Sequence, residues 1–183
     1  TNILWFFGLH GGNIVGSITN PIYTPLALEN LAAYEAGETV MPYIISGAFG
    51  KTFTFGGVGS MFGLAILMTF FAKSKQYKML GKLSLPTTFF FINEPLLFGI
   101  PVVLNPLFFL PLMFTTPLLG TLTYFMMKIG IVPIPHGIQL PWTMPPVFNG
   151  FLQAGIGLAI WEVLMVLASM VIYYPFFKMG DKQ

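Results

Sequence analysis

From residue 52 to residue 72 the chain reads TFTFGGVGSMFGLAILMTFFA, a run with no charged side chain. At about twenty residues it has the length a helix needs to cross a hydrocarbon layer of roughly 30 Å. In water such a run would have to be covered on every side, and the rest of the chain has little to cover it with. Hydrophobic residues make up 55% of the sequence and charged ones 8%, against roughly a quarter charged in soluble domains. The sequence therefore predicts a polytopic membrane protein. Gly59 and Gly63, four apart in the run, suit the close approach of two helix backbones in lipid.

Charge placement predicts the topology. Lys73, Lys75, Lys78 and Lys82 follow the run directly, and by the positive-inside rule they mark residues 73–82 as a cytoplasmic loop. Lys178 and Lys182 put the C-terminal end on the same side, so the chain between crosses an even number of times. Residues 106–128 and 150–177, apolar and almost uncharged, are the two crossings expected. Residues 1–19 form a first apolar stretch that opens on Thr1 with no basic flank, as in a piece of a longer protein. The acidic stretch 34–39, with Glu35 and Glu38 just after Glu29, reads as a solvated loop or interfacial helix away from the cytoplasm. The net charge of +2 comes from lysine with no arginine, which supports neither guanine readout nor a phosphate-tracking groove, so nucleic acid is not the expected partner. Without cysteine there are no disulfides, thiolate metal sites or cysteine nucleophiles.

Two apolar segments cannot be straight helices, because prolines interrupt them. Pro86, Pro95 and Pro101 break residues 83–105, and Pro133, Pro135, Pro141, Pro145 and Pro146 break residues 131–148. Runs such as TFFFI and LLFGIPVVL are too apolar for solvated loops. Irregular backbone at membrane depth is tolerated where it lines a cavity. The expected fold is an all-α polytopic membrane protein: transmembrane helices, two re-entrant hairpins converging on one binding site, and amphipathic connecting helices.

Glu94, in FFINEPLLFG, is an acid deep in an apolar, proline-broken segment. A carboxylate there is costly unless it is paired, protonated or used, so it marks a solute or proton path. His10, in FFGLHGGN, is flanked by Gly8, Gly11 and Gly12, which leave room for a ligand or another backbone to come close. His136 stands at the turn of the second proline-rich segment and faces either solvent or the site. Trp5 and Trp142 lie away from a simple interfacial belt; indole faces stack on the C–H faces of sugar rings while carboxylate and imidazole take the hydroxyls. Trp161 reads as packing within the last span, and Glu162 as paired within the bundle with no assigned role. Two histidines and one deep carboxylate without HExxH-like spacing point to no metal site, and no cofactor is expected.

In WFFGLHGGNIV (residues 5–15) and INEPLLFGIPVVLNP (residues 92–106) the chain resembles enzyme IIC. This is the membrane subunit of the phosphoenolpyruvate-dependent sugar phosphotransferase system, here in its lactose/cellobiose/chitobiose class. The resemblance covers residues 1–183 and corresponds to the C-terminal, substrate-binding half of that family's chain, the N-terminal dimerisation half being absent. It implies a multi-pass protein of the bacterial cell membrane, homodimeric when intact, that is a transporter subunit and not itself an enzyme. Its implied task is to bind a disaccharide of cellobiose, diacetylchitobiose or lactose type and present it to the phosphocysteine of the cytoplasmic IIB subunit, which IIA supplies. It further implies that Glu94 and His10 contact sugar hydroxyls beside the phosphorylation point, that Trp5 and Trp142 flank the rings, and that Gly8 and Asn13 shape the pocket. Two other classes stand beside this reading: an intramembrane enzyme using Glu94 and His10 as acid and base, and a scaffold that only packs helices, which leaves Glu94 unexplained.

Overall fold

The computed structural model describes residues 1–100 and 102–181. Pro101 of the first proline-broken segment and Lys182 of the C-terminal charge pair lie outside the described residues. Among the described residues eight α-helices carry the fold: α1 (Asn2–Phe6), α2 (Gly11–Glu35), α3 (Phe62–Phe71), α4 (Lys75–Phe89), α5 (Glu94–Gly99), α6 (Pro106–Lys128), α7 (Phe148–Ala154) and α8 (Ile156–Gly180). α8 is the centre of the packing, with α3, α6 and α7 against it, while α4 lies on α3 and α5 on α4.

α6 begins and ends where the sequence predicts a crossing. Asn105 accepts from the Leu107 N–H at 3.0 Å, and Pro106 takes the first helical position, where a missing N–H costs nothing. The other crossing starts later than residue 150, because Gly155 at φ +77° separates α7 from α8. α6 and α8 are both long and apolar enough to cross a membrane. Each turns large apolar side chains outward, Phe109, Phe114, Leu118 and Phe125 on α6 and Ile156, Ile160, Leu164 and Val171 on α8. An apolar exterior of that extent suits lipid or protein cover.

Residues 52–72 do not form the single spanning helix expected of them. The helical part is α3, only 10 residues long, and a glycine-rich turn precedes it. Gly56, Gly57 and Gly59 sit at φ +73°, +76° and +72°, the left-handed region that ends helices. Gly59 therefore lies on no helix face. Gly63 does serve close approach, since a Cβ there would collide with Ser169 on α8. The glycine turn is held from three sides: Tyr173 of α8 donates to the Gly59 carbonyl at 2.8 Å, Asn93 donates to that of Val58 at 2.9 Å, and Ser60 donates to that of Phe53 at 2.9 Å. Tyr173→Phe strands a buried carbonyl and is expected to destabilise the protein by about 1–2 kcal/mol, measured by thermal unfolding of the solubilised full-length protein.

The lysine cluster is likewise no loop. Ser74 caps α4 by accepting from Tyr77 N at 3.2 Å, so Lys75, Lys78 and Lys82 are helical. Asp181 at the end of α8 accepts from the Lys73 and Ser74 N–H groups at 2.8 and 2.9 Å, which ties the lysine cluster and the C-terminal end of α8 to one side of the molecule. Burial and the Asp181 carboxylate push the Tyr77 phenol up. The first proline-broken segment is helix, turn and short helix: α4 runs through Pro86, residues 90–93 turn, and α5 starts at Glu94. Residues 131–147 are a strap without helix, because closely spaced prolines deny a helix its donors, and Phe148 already begins α7. Gln153 of α7 holds it by accepting from Gly137 N and donating to the Ile138 carbonyl, and Asn30 of α2 donates to the Pro135 carbonyl. Of the acidic stretch 34–39 only Tyr34 and Glu35 are helical, at the end of α2, and residues 36–39 lie beyond the helix.

Candidate functional site

α1 is ended by Gly8 at φ +78°, a conformation that returns the chain so that Leu9 N bonds to the Leu4 carbonyl at 2.9 Å. The next residue, His10, comes to rest on Trp5, ring centroids 4.4 Å apart and planes tilted by 53°. A Cβ on Gly11 would strike the Thr1 carbonyl, so that glycine lets the α2 start pack on the α1 start. His10 also caps α2, its Nδ1 accepting from Asn13 N at 3.1 Å. Using Nδ1 as acceptor leaves the Nε2–H of a neutral ring as a free donor.

Glu94 arrives from another direction. The turn before α5 holds Phe91 at φ +68°, and the buried Asn93 anchors it on the glycine turn. Glu94 follows at the first position of α5, half-buried, with Pro95 next to it in the first turn, where a missing N–H costs nothing.

These two constructions face each other across a cavity of about 860 Å³, within the 300–1,000 Å³ usual for small-molecule sites. Of the six residues singled out from sequence, Trp5, His10, Asn13, Glu94 and Trp142 are among its walls. Gly8 is not a wall; it acts through the turn that delivers His10. Trp5 is nearly buried, whereas Trp142 is 63% exposed. Asn2, Asn20, Thr54, Gly57, Asn93 and Thr116 also line the cavity and were not anticipated. Asn13 and Asn20, seven apart, share a face of α2, so that pairing was readable; Thr54, Asn93 and Thr116 are ordinary polar residues until the fold gathers them. His136 lies elsewhere, stacked on Tyr34 with centroids 4.0 Å apart.

Trp161 donates to Thr123 at 3.1 Å, joining α8 to α6. Glu162, fully buried, accepts from Asn149 at 2.7 Å and Val147 N at 2.6 Å, fastening the end of the strap to α8. Among the described residues no three His, Asp or Glu gather as a metal site would need.

The class that the structure defines is a helical domain with two helices apolar and long enough to cross a membrane and a cavity of small-molecule size. Residues 1–116 match the family "Phosphotransferase system, EIIC". The chain is 43% identical to the lichenan permease IIC component of Bacillus subtilis, over 99% of this chain and 40% of that protein. It is 38% identical to the cellobiose-specific EIIC component of Geobacillus stearothermophilus, over 99% of this chain and 41% of that one. Its structure matches the crystal structure of the transporter ChbC, the IIC component of the N,N'-diacetylchitobiose-specific system, with a TM-score of 0.96 at 38% identity, covering 100% of this chain and 43% of that one. The chain belongs to the EIIC family of the phosphotransferase system, and it spans about two fifths of the length of these relatives. The lichenan protein is named as a permease component and ChbC as a transporter, and the reading of an intramembrane acid–base enzyme finds no support among these relatives.

Proposed function

We propose that this chain is the substrate-binding transmembrane domain of a IIC sugar permease, taking up a β-linked disaccharide of cellobiose, diacetylchitobiose or lactose type. The observation that carries it is one cavity walled by a carboxylate, an imidazole, two indoles and several amides. The indoles supply stacking surfaces for pyranose rings, and the polar groups supply directional partners for hydroxyls. Glu94 and His10 hold the hydroxyl that is phosphorylated. Its oxygen attacks the phosphorus carried on the IIB phosphocysteine, the thiolate leaves, and the hydroxyl proton passes to the Glu94 carboxylate. IIA recharges IIB, and the charged sugar phosphate stays inside.

The finer topology belongs to the same reading. α4 with α5, and the strap with α7, enter from one face and return to it as re-entrant hairpins whose irregular backbone faces the cavity. The amphipathic connecting helices remain an expectation of this reading. The lysine cluster and the end of α8, fastened together through Asp181, face the cytoplasm of a bacterial cell. The intact protein is a homodimer whose further residues supply the dimer contact.

Equilibrium binding of labelled cellobiose, diacetylchitobiose and lactose to the full-length solubilised transporter tests the proposal. Micromolar-range binding of one of them supports it, and no binding of any would overturn the substrate class. His10→Asn sharpens the test, because Asn can still cap α2 but lacks the imidazole donor. It is expected to weaken binding about tenfold with thermal stability nearly unchanged; equal binding would remove His10 from the site.

A further inference from the structure

The strap from residue 131 to residue 147 carries Trp142 to the cavity, and it is fixed near both ends: Asn30 and Gln153 hold residues 135–138, and Glu162 holds Val147 N. Between these anchors lies the part that matters to the site. The hydrogen bonds of Gln139 to Gly137 and of Met144 N to Pro141 stay inside the strap and fasten it to nothing. Lys51 reaches it from outside. Its Nζ lies 3.5 Å from the Leu140 carbonyl and 3.4 Å from that of Pro141, the residues immediately before Trp142. Lys51 is half-buried and sits in the short helical turn Phe49–Thr52, and three residues on Thr54 is a wall of the cavity.

We propose that Lys51 is a positioning residue: its ammonium latches the middle of the strap and so sets where the Trp142 indole stands over the cavity. A lysine suits this use, since a flexible arm with three donors can hold two adjacent carbonyls and let go of them. Both contacts lie at the long end of hydrogen-bond distance, so the latch gives way more readily than the anchors on either side. The consequence for sugar binding rests on the sugar-site reading above; the consequence for Trp142 does not.

The test uses the full-length transporter labelled with 5-fluorotryptophan, the Trp142 resonance being assigned by its loss in Trp142→Phe. Lys51→Met is expected to shift or broaden that resonance while leaving the Trp161 signal in place, and Lys51→Arg, which keeps the donors, to restore it. Disaccharide affinity should fall about tenfold in Lys51→Met and fall no further when Lys51→Met is added to Trp142→Phe. An unmoved Trp142 resonance overturns the latch whatever the sugar does. A moved resonance with undiminished affinity, or additive losses in the double variant, overturns its role at the site. Absence of sugar binding in the wild type defeats the sugar-site reading alone, and the resonance still decides whether Lys51 places the strap.

Discussion

Glu94→Gln is expected to lower disaccharide affinity of the full-length transporter about 100-fold and to abolish IIB-dependent phosphorylation, with little change in thermal unfolding. Gln keeps the length and one acceptor of the side chain but removes the charge. Hydrogen bonds to an ionised carboxylate contribute roughly 1.5–3 kcal/mol each, against about 1 kcal/mol for a neutral pair; two hydroxyls that lose this difference account for the expected factor. Stability should hold because α5 is only 6 residues long, and an acid in a first turn contributes at most about 1 kcal/mol. Titration with the labelled sugar reads the affinity. Undiminished binding would take Glu94 out of the mechanism.

Gly57→Ala is expected to cost about 2–4 kcal/mol of stability and most of the sugar binding. The residue stands at φ +76°, and a Cβ would lie 2.8 Å from Asn93 Oδ1 and 2.9 Å from the Phe91 carbonyl. Left-handed backbone costs a residue with a Cβ roughly 1–2 kcal/mol, and overpacking typically adds 1–3 kcal/mol. The atoms that must retreat belong to the turn that delivers Glu94, so the strain is released by moving the carboxylate. Gly50→Ala is the control. A Cβ there meets nothing within 4 Å, and the change should leave thermal unfolding and binding close to wild type. If Gly57→Ala unfolds and binds like the control, the glycine turn does not place Glu94.

The parts of the fold legible in the sequence are those in which local chemistry and burial agree. α6 lies where the apolar, almost uncharged run 106–128 put it, and Asn105 and Pro106 at its start and Lys128 at its end agree with those bounds. Residues 52–72 read as one span because hydropathy weighs apolar content and not conformation; Gly59, one of the two glycines of the packing face, stands with Gly56 and Gly57 in the turn that breaks the helix, while Gly63 stays in α3. The lysine cluster looked like a loop because charge says which side of a membrane a segment lies on and nothing about its backbone.

Residue type and depth marked Glu94, residue type and position marked Trp5 and Trp142, and the flanking glycines Gly8, Gly11 and Gly12 marked His10, since such groups placed where lipid would reject or ignore them ask for a use. Asn13 and Gly8 came from the family's motif. Sequence also determined that much of the exterior is apolar, because so few charges cannot cover the surface with groups that meet water. Only the tertiary structure decided that Thr54, Asn93 and Thr116 share walls with Glu94, that His136 does not, and that Glu162 fastens the strap. Those are relations between residues as far as 62 positions apart, Thr54 to Thr116, set by how α3, α6 and α7 pack on α8, and no local pattern in the chain encodes the distance between two of its own distant parts.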